Sequence, residues 1–365
     1  MNVVSIFGDG VDFQRLCRPQ ITNRRCKADA ALIADVISAL KSCHGQGVSR
    51  VQSNHEPADH GGGIDAARAT FGGAASDWID LSTGINPVPY PVPEIPPQDW
   101  MRLPDLGAQT ALNDAARAFW NVPEGADVLA APGASALIAR IPALAPAGRV
   151  KIETPTYNEH GRAFLAEGWV LSDEAPDAAV VVHPNNPDGR MFAAPTARLS
   201  VIDESFCDVT PGASLITHAT RPGVIVLKGF GKFWGLAGLR LGFAMGDPAL
   251  IARLRQMMGP WPVSGPALTI ATRALQDHDW TTATRHRLAI DARRLDDLLT
   301  QVGAGVVGGT DLFRLYDVGD AAEWQTRLAK RQIWSRIFPY SSRWLRLGLP
   351  GQPADWSRLQ EALRS

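Results

Sequence analysis

The residue with the clearest chemical potential is Lys232, which glycines and aromatic residues flank in the run Gly229-Phe-Gly-Lys-Phe-Trp-Gly235. Such surroundings solvate an ammonium poorly. We therefore expect a low pKa and a neutral amine that is available for Schiff-base chemistry. Arg240 follows on the same segment, and its forked guanidinium can hold a phosphate through charge-assisted hydrogen bonds. Together the two residues predict a site for a ligand that carries an aldehyde and a phosphate.

Two further segments follow predicted strands and add groups that such a ligand needs. Gly133-Ala134-Ser135 comes after the apolar run Val128–Ala131 and opens a helix, where free backbone N–H groups and the Ser135 hydroxyl can bind a phosphate. Tyr157 follows the next apolar run, and its ring can stack on a flat heterocycle. Taken alone, each has a structural explanation, as a helix cap and as a surface or core tyrosine.

Two polar side chains end the next pair of apolar runs. Asn186 lies between prolines after Ala178–Val182, and its rigid amide can donate to a phenolate oxygen. Asp203 ends the run that begins at Leu199, where a carboxylate can pair with a protonated pyridine nitrogen and make the ring a better electron sink. An Asn-Pro turn and a turn-capping Asp are the structural alternatives. Because strand ends at one edge of a parallel sheet form ligand sites, the order of these residues predicts a pyridoxal 5′-phosphate (PLP) site.

Composition narrows the class of protein. The 365 residues include 36 basic and 37 acidic side chains, for a net charge of −1, which argues against a nucleic-acid-binding protein. No run approaches roughly 18 consecutive apolar residues, and we expect neither a membrane span nor a signal peptide. The four cysteines have no metal-binding spacing, so we predict no metal site and a reduced, cytoplasmic protein.

The order of apolar runs predicts an α/β fold. Continuous β-branched runs between helical and Gly/Pro-rich stretches indicate a large domain with a mainly parallel sheet, and the pattern after Pro262 indicates a smaller α+β domain. The predicted boundaries are an N-terminal extension of unknown role at 1–55, an arm and part of the small domain at 56–105, the large cofactor-binding domain at 106–260 and the C-terminal small domain at 261–365. Within the extension, residues 29–41 show helical periodicity.

Two motifs point to other functions without the context that those functions require. Gly303-Ala-Gly-Val-Val-Gly308 matches the GxGxxG pattern of dinucleotide sites, but it follows a helix and precedes a strand, the reverse of the required order. His60-Gly-Gly-Gly63 resembles the oxyanion loop of esterases, yet the chain has no GxSxG segment to supply a nucleophile. We therefore predict neither a nicotinamide site nor a hydrolase.

With these residues in place, the chain resembles the fold-type-I PLP enzymes of the class I/II aminotransferase superfamily, from about His60 to the C-terminus. The resemblance implies that Lys232 forms the Schiff base with the cofactor, and it implies catalytic roles for Lys232, Asp203 and Tyr157. Asp203 would pair with the pyridine nitrogen, Asn186 would contact ring oxygen O3′ and Tyr157 would stack on the ring. The phosphate would lie against Gly133, Ala134, Ser135 and Arg240.

Three segments narrow the resemblance to the threonine-phosphate decarboxylases of cobalamin biosynthesis, which are relatives of the histidinol-phosphate aminotransferases. They are His60-Gly-Gly-Gly-Ile-Asp-Ala-Ala-Arg68, Leu81-Ser-Thr-Gly-Ile-Asn-Pro87 and Gly231-Lys-Phe-Trp-Gly-Leu-Ala-Gly-Leu-Arg240. Arg346 matches the C-terminal arginine that binds a substrate α-carboxylate in the family. The implied substrate-binding residues are His60, Gly61, Ser82, Asn86, Arg336 and Arg346, and the resemblance also implies a homodimer.

Three positions depart from the family pattern. Gly229 replaces a Ser or Thr, which removes one phosphate-binding hydroxyl, and Lys228 next to it is expected to compensate. Phe206 replaces a Tyr whose hydroxyl contacts O3′ in aminotransferases, and this change favours the decarboxylase branch. Gly84 replaces an Asn, so that Asn86 is expected to take more of the substrate contact.

The resemblance implies decarboxylation of L-threonine O-3-phosphate to (R)-1-amino-2-propanol O-2-phosphate, on a small phosphorylated amino-acid substrate. The alternative is a PLP-dependent aminotransferase that acts on a phosphorylated compound such as histidinol phosphate. A non-catalytic protein of the same fold is a third possibility, with only residues 1–55 to support it.

Overall fold

The computed structural model describes residues 60–364. Aspartate or serine side chains cap five of its helices: Asp105, Ser264, Asp247, Asp277 and Asp320 each accept a hydrogen bond from a backbone N–H in the first turn. The ten helices of the described residues are α1 (Ile64–Phe71), α2 (Pro97–Met101), α3 (Leu106–Phe119), α4 (Ala134–Ile138), α5 (Asn158–Ala166), α6 (Pro248–Met258), α7 (Gly265–Gln276), α8 (His278–Thr300), α9 (Ala321–Ala329) and α10 (Pro353–Arg364).

The strands form three sheets within the described residues. The strands are β1 (Ile79–Asp80), β2 (Asp127–Ala131), β3 (Arg149–Ile152), β4 (Val170–Leu171), β5 (Ala178–Val182), β6 (Leu199–Asp203), β7 (Val224–Gly229), β8 (Gly242–Gly246), β9 (Gly305–Thr310), β10 (Phe313–Asp317), β11 (Ile333–Trp334), β12 (Arg336–Phe338) and β13 (Ser341–Gly348). Seven of them form the largest sheet, in the order β2-β8-β7-β6-β5-β3-β4.

The seven-stranded sheet is mainly parallel, and only β8 runs antiparallel to its neighbours. Every residue of β5, β6 and β7 is buried, because their apolar runs have both faces covered. These strands end at Val182, Asp203 and Gly229, so the segments that follow them lie at one edge of the sheet. The predicted α/β fold with a large mainly parallel sheet is confirmed.

A second sheet holds the C-terminal strands in the antiparallel order β12-β13-β10-β9. A short parallel pair, β1 with β11, joins the segment after α1 to this part of the chain. Helix α7 packs against α3, and one hydrophobic cluster continues from the large sheet to the four-stranded sheet. The two sheets therefore share a core.

One strand begins later than its sequence predicts. The apolar run from Leu239 to Ala244 predicts a strand throughout, which is wrong at its start. Ala237–Leu239 forms a 3₁₀ turn, and Arg240 has a left-handed backbone with φ of 52°, so extended pairing begins at Gly242.

Parts of the sequence prediction fall outside the described residues. The helix at 29–41 and the extension at 1–55 are among them. The domain boundaries at 105 and 260 stay a prediction. Among residues 60–364, no helix has the length and apolarity needed to cross a bilayer.

Candidate active site

Lys232 lies in the loop that follows β7, with its amine facing a cavity of about 250 Å³. Its Nζ is 5.2 Å from the centre of the Phe206 ring. Burial and the nearby Arg346 charge disfavour the ammonium and lower the pKa of Lys232 to about 8. The neutral amine that the sequence predicts is therefore accessible near neutral pH.

The Asp203 carboxylate faces the same cavity from the end of β6. Its Oδ2 is 2.9 Å from Nε2 of His160, and its Oδ1 accepts hydrogen bonds from the backbone and the hydroxyl of Ser205, at 2.9 and 2.5 Å. Burial opposes ionisation, but His160 and Ser205 outweigh it, so the pKa of Asp203 lies below its usual value. Asp203 is a fixed anion at this position.

Tyr157 is the residue just before α5 and forms part of the cavity wall. Its ring meets His160 edge-on, with ring centres 6.2 Å apart. Burial and the charges of Glu159 and Asp203 raise the pKa of Tyr157 to about 12, so its phenol stays protonated at neutral pH. The side chain can therefore offer a neutral flat ring and one O–H donor.

The turn before α4 and Arg240 close the cavity at its far end. Gly133 has a φ of +87°, and a Cβ at this position would lie 2.8 Å from Nη2 of Arg240. The glycine thus permits the guanidinium to approach the turn, whose Ala134 and Ser135 also line the cavity. A positive side chain and backbone N–H groups at a helix start make this end suited to a phosphate.

A second cavity of about 340 Å³ adjoins the first, and Lys232, Asn186, Tyr157 and Phe206 line both. Its remaining wall includes His60, Gly61 and two arginines, Arg336 and Arg346. These arginines are register partners on β12 and β13. The structure therefore brings a cationic cavity against the predicted lysine.

Arg346 is 5% exposed and lines the second cavity. Its Nη1 donates to Oδ1 of Asn186, which lines both cavities, and its Nη2 donates to the Ser82 carbonyl at 2.6 Å, while its buried Nε has no hydrogen-bond partner among residues 60–364. Burial and the Arg336 charge lower the pKa of Arg346 to about 10. A buried guanidinium without a carboxylate partner is suited to an incoming anion.

The His60 loop is held over this second cavity by three contacts. Arg336 donates to the His60 carbonyl at 3.0 Å, the His60 ring lies 3.1 Å from Glu159, and the Gly62 N–H donates to the Ser82 hydroxyl at 2.6 Å. Ser82 is itself buried, outside the wall of this cavity. From this position Ser82 supports the His60 loop. A direct contact with substrate, which the sequence predicts, stays a prediction.

Asn86, like Ser82, is a predicted site residue that lines neither cavity. Its backbone N–H donates to the Lys232 carbonyl at 2.9 Å and its side-chain amide to the Phe233 carbonyl at 2.8 Å. Arg287 donates to its Oδ1 at 2.6 Å. Asn86 therefore fixes the backbone of the lysine loop, and the predicted substrate contact has no support in this geometry.

Comparison with known proteins shows the family of this chain. The class I and II aminotransferase family model matches residues 171–363. A threonine-phosphate decarboxylase from Sinorhizobium sp is 41% identical over 329 residues, which cover 84% of this chain and 98% of that protein. One from Pseudomonas aeruginosa is 39% identical over 84% of this chain and 97% of its own length.

The chain belongs to the class I and II aminotransferase family. A solved histidinol-phosphate aminotransferase from Sinorhizobium meliloti, in complex with pyridoxal 5′-phosphate, has the same fold. Its TM-score is 0.70 at 17% identity, and the match covers 88% of this chain and 99% of that one.

Two departures from the family pattern contact each other. A Cβ at Gly84 would lie 2.9 Å from the Phe206 ring and 2.8 Å from Phe313. The rings of Phe206 and Phe313 meet edge-on, 5.0 Å apart, and fill the space that a larger residue at 84 would need. The small residue at 84 and the Phe206 ring therefore pack together, next to the Lys232 amine.

The third departure has a different explanation from the one expected, since Lys228 does not compensate for Gly229. Lys228 is buried, with its Nζ 2.5 Å from Glu204 and 3.8 Å from Asp208, and it does not line the cofactor-sized cavity. The expectation was wrong because adjacent residues of a strand point to opposite faces. The hydroxyl nearest to a Cβ at Gly229 belongs to Ser205, at 3.4 Å.

Sequence reasoning missed three residues of this site, which are His160, Ser205 and Glu159. His160 follows Tyr157 by about one helical turn. On a helix, this spacing places both side chains on the same face, and it is the signal by which His160 could be found. Ser205 two residues after Asp203 is the spacing of a turn in which a carboxylate accepts from the following backbone. Glu159 carried no signal of its own, because its partner His60 is distant in sequence.

Proposed function

We propose that the chain decarboxylates L-threonine O-3-phosphate, with PLP as its cofactor, to give (R)-1-amino-2-propanol O-2-phosphate. The single observation that carries the proposal is the pairing of two joined cavities, one lined by Lys232, Asp203 and Arg240 and the other by Arg336 and Arg346. The identities of about 40% with proteins named threonine-phosphate decarboxylase support it.

The residues of the first cavity fit PLP. Lys232 would hold the cofactor covalently, Asp203 would pair with its ring nitrogen and Asn186 would reach its ring oxygen. Arg240 and the turn at Gly133, Ala134 and Ser135 would hold the phosphate, with Tyr157 against the ring. Bound PLP supplies an electron sink for the electron pair that remains at Cα when one of its bonds breaks.

The second cavity accounts for a substrate with two anionic groups. The carboxylate is attached to Cα and must lie near Lys232, so Arg346 is its partner, held by Asn186 and the Ser82 carbonyl. The phosphate is at the other end of the substrate, and Arg336 with His60 at the cavity wall would bind it. A forked guanidinium suits both groups.

The direction in which Arg346 holds the carboxylate selects the reaction. By holding the carboxylate, Arg346 would determine which bond to Cα is positioned for cleavage, and with the electron sink that PLP would supply this would favour loss of CO₂. Lys232, whose amine titrates near neutral pH, would then return a proton to Cα from Nζ. Phe206 offers no hydroxyl beside this lysine.

A comparison of substrates tests the proposal. Purified protein with PLP should turn over L-threonine O-3-phosphate with a kcat/KM at least about a hundredfold above that for L-threonine, because one charge-assisted contact is then missing. Histidinol phosphate with 2-oxoglutarate is the second arm. Glutamate formation in that arm, without turnover of phosphothreonine, would make the aminotransferase alternative correct.

The proposal extends to assembly and to the pathway. Trp100, Met101, Leu103 and Leu106 form an apolar surface on α2 and the start of α3, each between 66% and 78% exposed. So much exposed apolar area on one segment favours an interface with a second copy of the chain. A cytoplasmic homodimer that supplies aminopropanol phosphate to cobalamin biosynthesis follows from the family resemblance.

A further inference from the structure

The GxGxxG motif has a position in the structure that explains its glycines. Gly305 and Gly308 lie on β9, whose far end reaches the loop between β5 and β6. The Gly309 N–H donates to the Asp188 carbonyl of that loop at 2.8 Å. The motif thus contacts the segment that carries Asn186, two residues before Asp188.

Three glycines let the two backbones meet. A Cβ at Gly308 would overlap the Asp188 carbonyl oxygen, and a Cβ at Gly189 would overlap the Gly309 carbonyl oxygen. Gly189 and Gly309 also have positive φ, of +75° and +131°, whereas Gly308 has no such angle. Space alone therefore requires a glycine at 308. We call Gly189, Gly308 and Gly309 the glycine seam.

The seam is in register with both arginines of the substrate cavity. Across the four-stranded sheet, Gly308 pairs with Leu315, Leu315 with Arg346, and Arg346 with Arg336. One row of the sheet thus runs from the seam to the cationic cavity. A shift of β9 against the loop would also displace the paired residues Leu315, Arg346 and Arg336, because closely packed interiors transmit strain.

The loop and the row meet a second time at the cavity. Asn186 accepts a hydrogen bond from Arg346, and the same loop is fastened internally by the Asp188 carboxylate, which accepts from the Asn185 side chain at 2.8 Å and the Arg190 backbone at 3.1 Å. The loop therefore holds the sheet at two places, one at the seam and one at Arg346. The first fixes the geometry of the second.

We propose that the glycine seam positions Arg346 against Asn186, and so sets the direction in which the site holds a substrate carboxylate. The inference rests on the proposed function for the identity of that carboxylate. The seam residues touch neither cavity, and they act as positioning residues through Arg346. The motif that suggests a dinucleotide instead serves the contact between a loop and a sheet.

Gly308→Ala tests the seam, and Gly305→Ala is its matched control. Gly305 lies on the same strand, where a Cβ would have 3.8 Å to its nearest neighbour and therefore room. In the holoenzyme, Gly308→Ala should raise the KM for phosphothreonine about tenfold, less than for complete loss of a charge-assisted contact because Arg346 is displaced and not removed. The inhibition constant of 1-amino-2-propanol O-2-phosphate, which lacks the carboxylate, should change less than about threefold, and Gly305→Ala should change neither constant.

Two results would contradict this proposal. One is an unchanged KM in Gly308→Ala. The other is an equal rise of the KM and the inhibition constant, which would mean a general loss of structure. If Gly308→Ala does not fold, Asp188→Ala loosens the loop without added bulk and should give the same selective rise. If the wild type does not turn over phosphothreonine, the proposed function fails. A crystal structure of Gly308→Ala then decides, because persistence of the Arg346–Asn186 hydrogen bond contradicts the seam.

Discussion

At the scale of single residues, the electrostatics of Lys232 give the most direct prediction. Its amine attacks an aldehyde only when neutral, so the rate at which cofactor-free protein binds PLP should rise with pH and level off above a midpoint of about 8. Arg346→Met removes a charge that lowers this pKa, and the midpoint should move upward. Stopped-flow absorbance between pH 6.5 and 10 measures the rate.

The matched control for this titration is Arg336→Met. Its charge acts on Arg346 and is not one of the main causes of the Lys232 shift, so the midpoint should move less than in Arg346→Met. A midpoint that is the same in all three proteins would contradict the account of Lys232.

His160 gives a second prediction at this scale. His160→Leu removes a donor from the buried Asp203 carboxylate, which should raise the pKa of Asp203 and lower the free energy of unfolding by about 1–3 kcal/mol. We expect kcat to fall about tenfold or more, as for partners that orient a reacting group. His160→Gln keeps a side-chain N–H and should retain most of both quantities, which urea unfolding and initial rates measure.

The sequence predicts residues of this site where their chemistry is tied to a strand end. Lys232, Asp203 and Asn186 lie where buried runs stop and Arg240 lies just before β8, and all four line the first cavity. His160 and Ser205 act through Asp203, and neither the partner nor the direction of a side chain is visible in a single sequence. Lys228 is a different case, because the alternation of side chains along a strand already predicts that it points away from the face of Gly229.

At the scale of elements, the Pro-rich segment after β1 supports the lysine loop. Asn86→Ala would remove the side-chain partner of the Phe233 carbonyl and one of two partners of the Arg287 guanidinium, and we expect unfolding to require about 1–3 kcal/mol less. Because the Asn86 side chain holds the Phe233 carbonyl, one residue after Lys232, kcat should fall while the KM for phosphothreonine changes less than about threefold. A large rise in KM with kcat unchanged would restore the substrate contact that the sequence predicts.

Elements were predictable where their pattern is strong. The buried strands β5, β6 and β7 and the long helix α8 follow from continuous apolar runs and from helical periodicity. The start of β8 was not, because the left-handed Arg240 interrupts a run that is otherwise apolar. Pairing of β1 with β11 joins segments about 250 residues apart, and local pattern carries no information on such a contact.

At the scale of the whole molecule, the apolar surface on α2 and α3 predicts self-association. The wild type should sediment at twice the monomer mass, and a Trp100→Lys, Leu106→Lys double variant should shift toward the monomer because charge is poorly tolerated in a buried interface. Val170→Lys, at a residue also exposed but outside this surface, is the control and should leave the mass unchanged. A wild type that sediments as a monomer at micromolar concentration would contradict the proposed dimer.

The class of reaction depends on both sheets, because residues from each of them line the cavities beside Lys232. Proteins named threonine-phosphate decarboxylase and proteins named histidinol-phosphate aminotransferase both match this chain. The two arginines of the second cavity and the Phe206–Gly84 packing are the features that favour loss of CO₂.

The most direct test of this central claim is carbon-13 NMR of the reaction with L-threonine O-3-phosphate labelled at the carboxyl carbon. We predict that all label appears as CO₂ and bicarbonate, with one equivalent of 1-amino-2-propanol O-2-phosphate, and that Lys232→Ala abolishes both. Label that remains in a carboxylate while the amino group is lost, as in a transamination, would contradict the account.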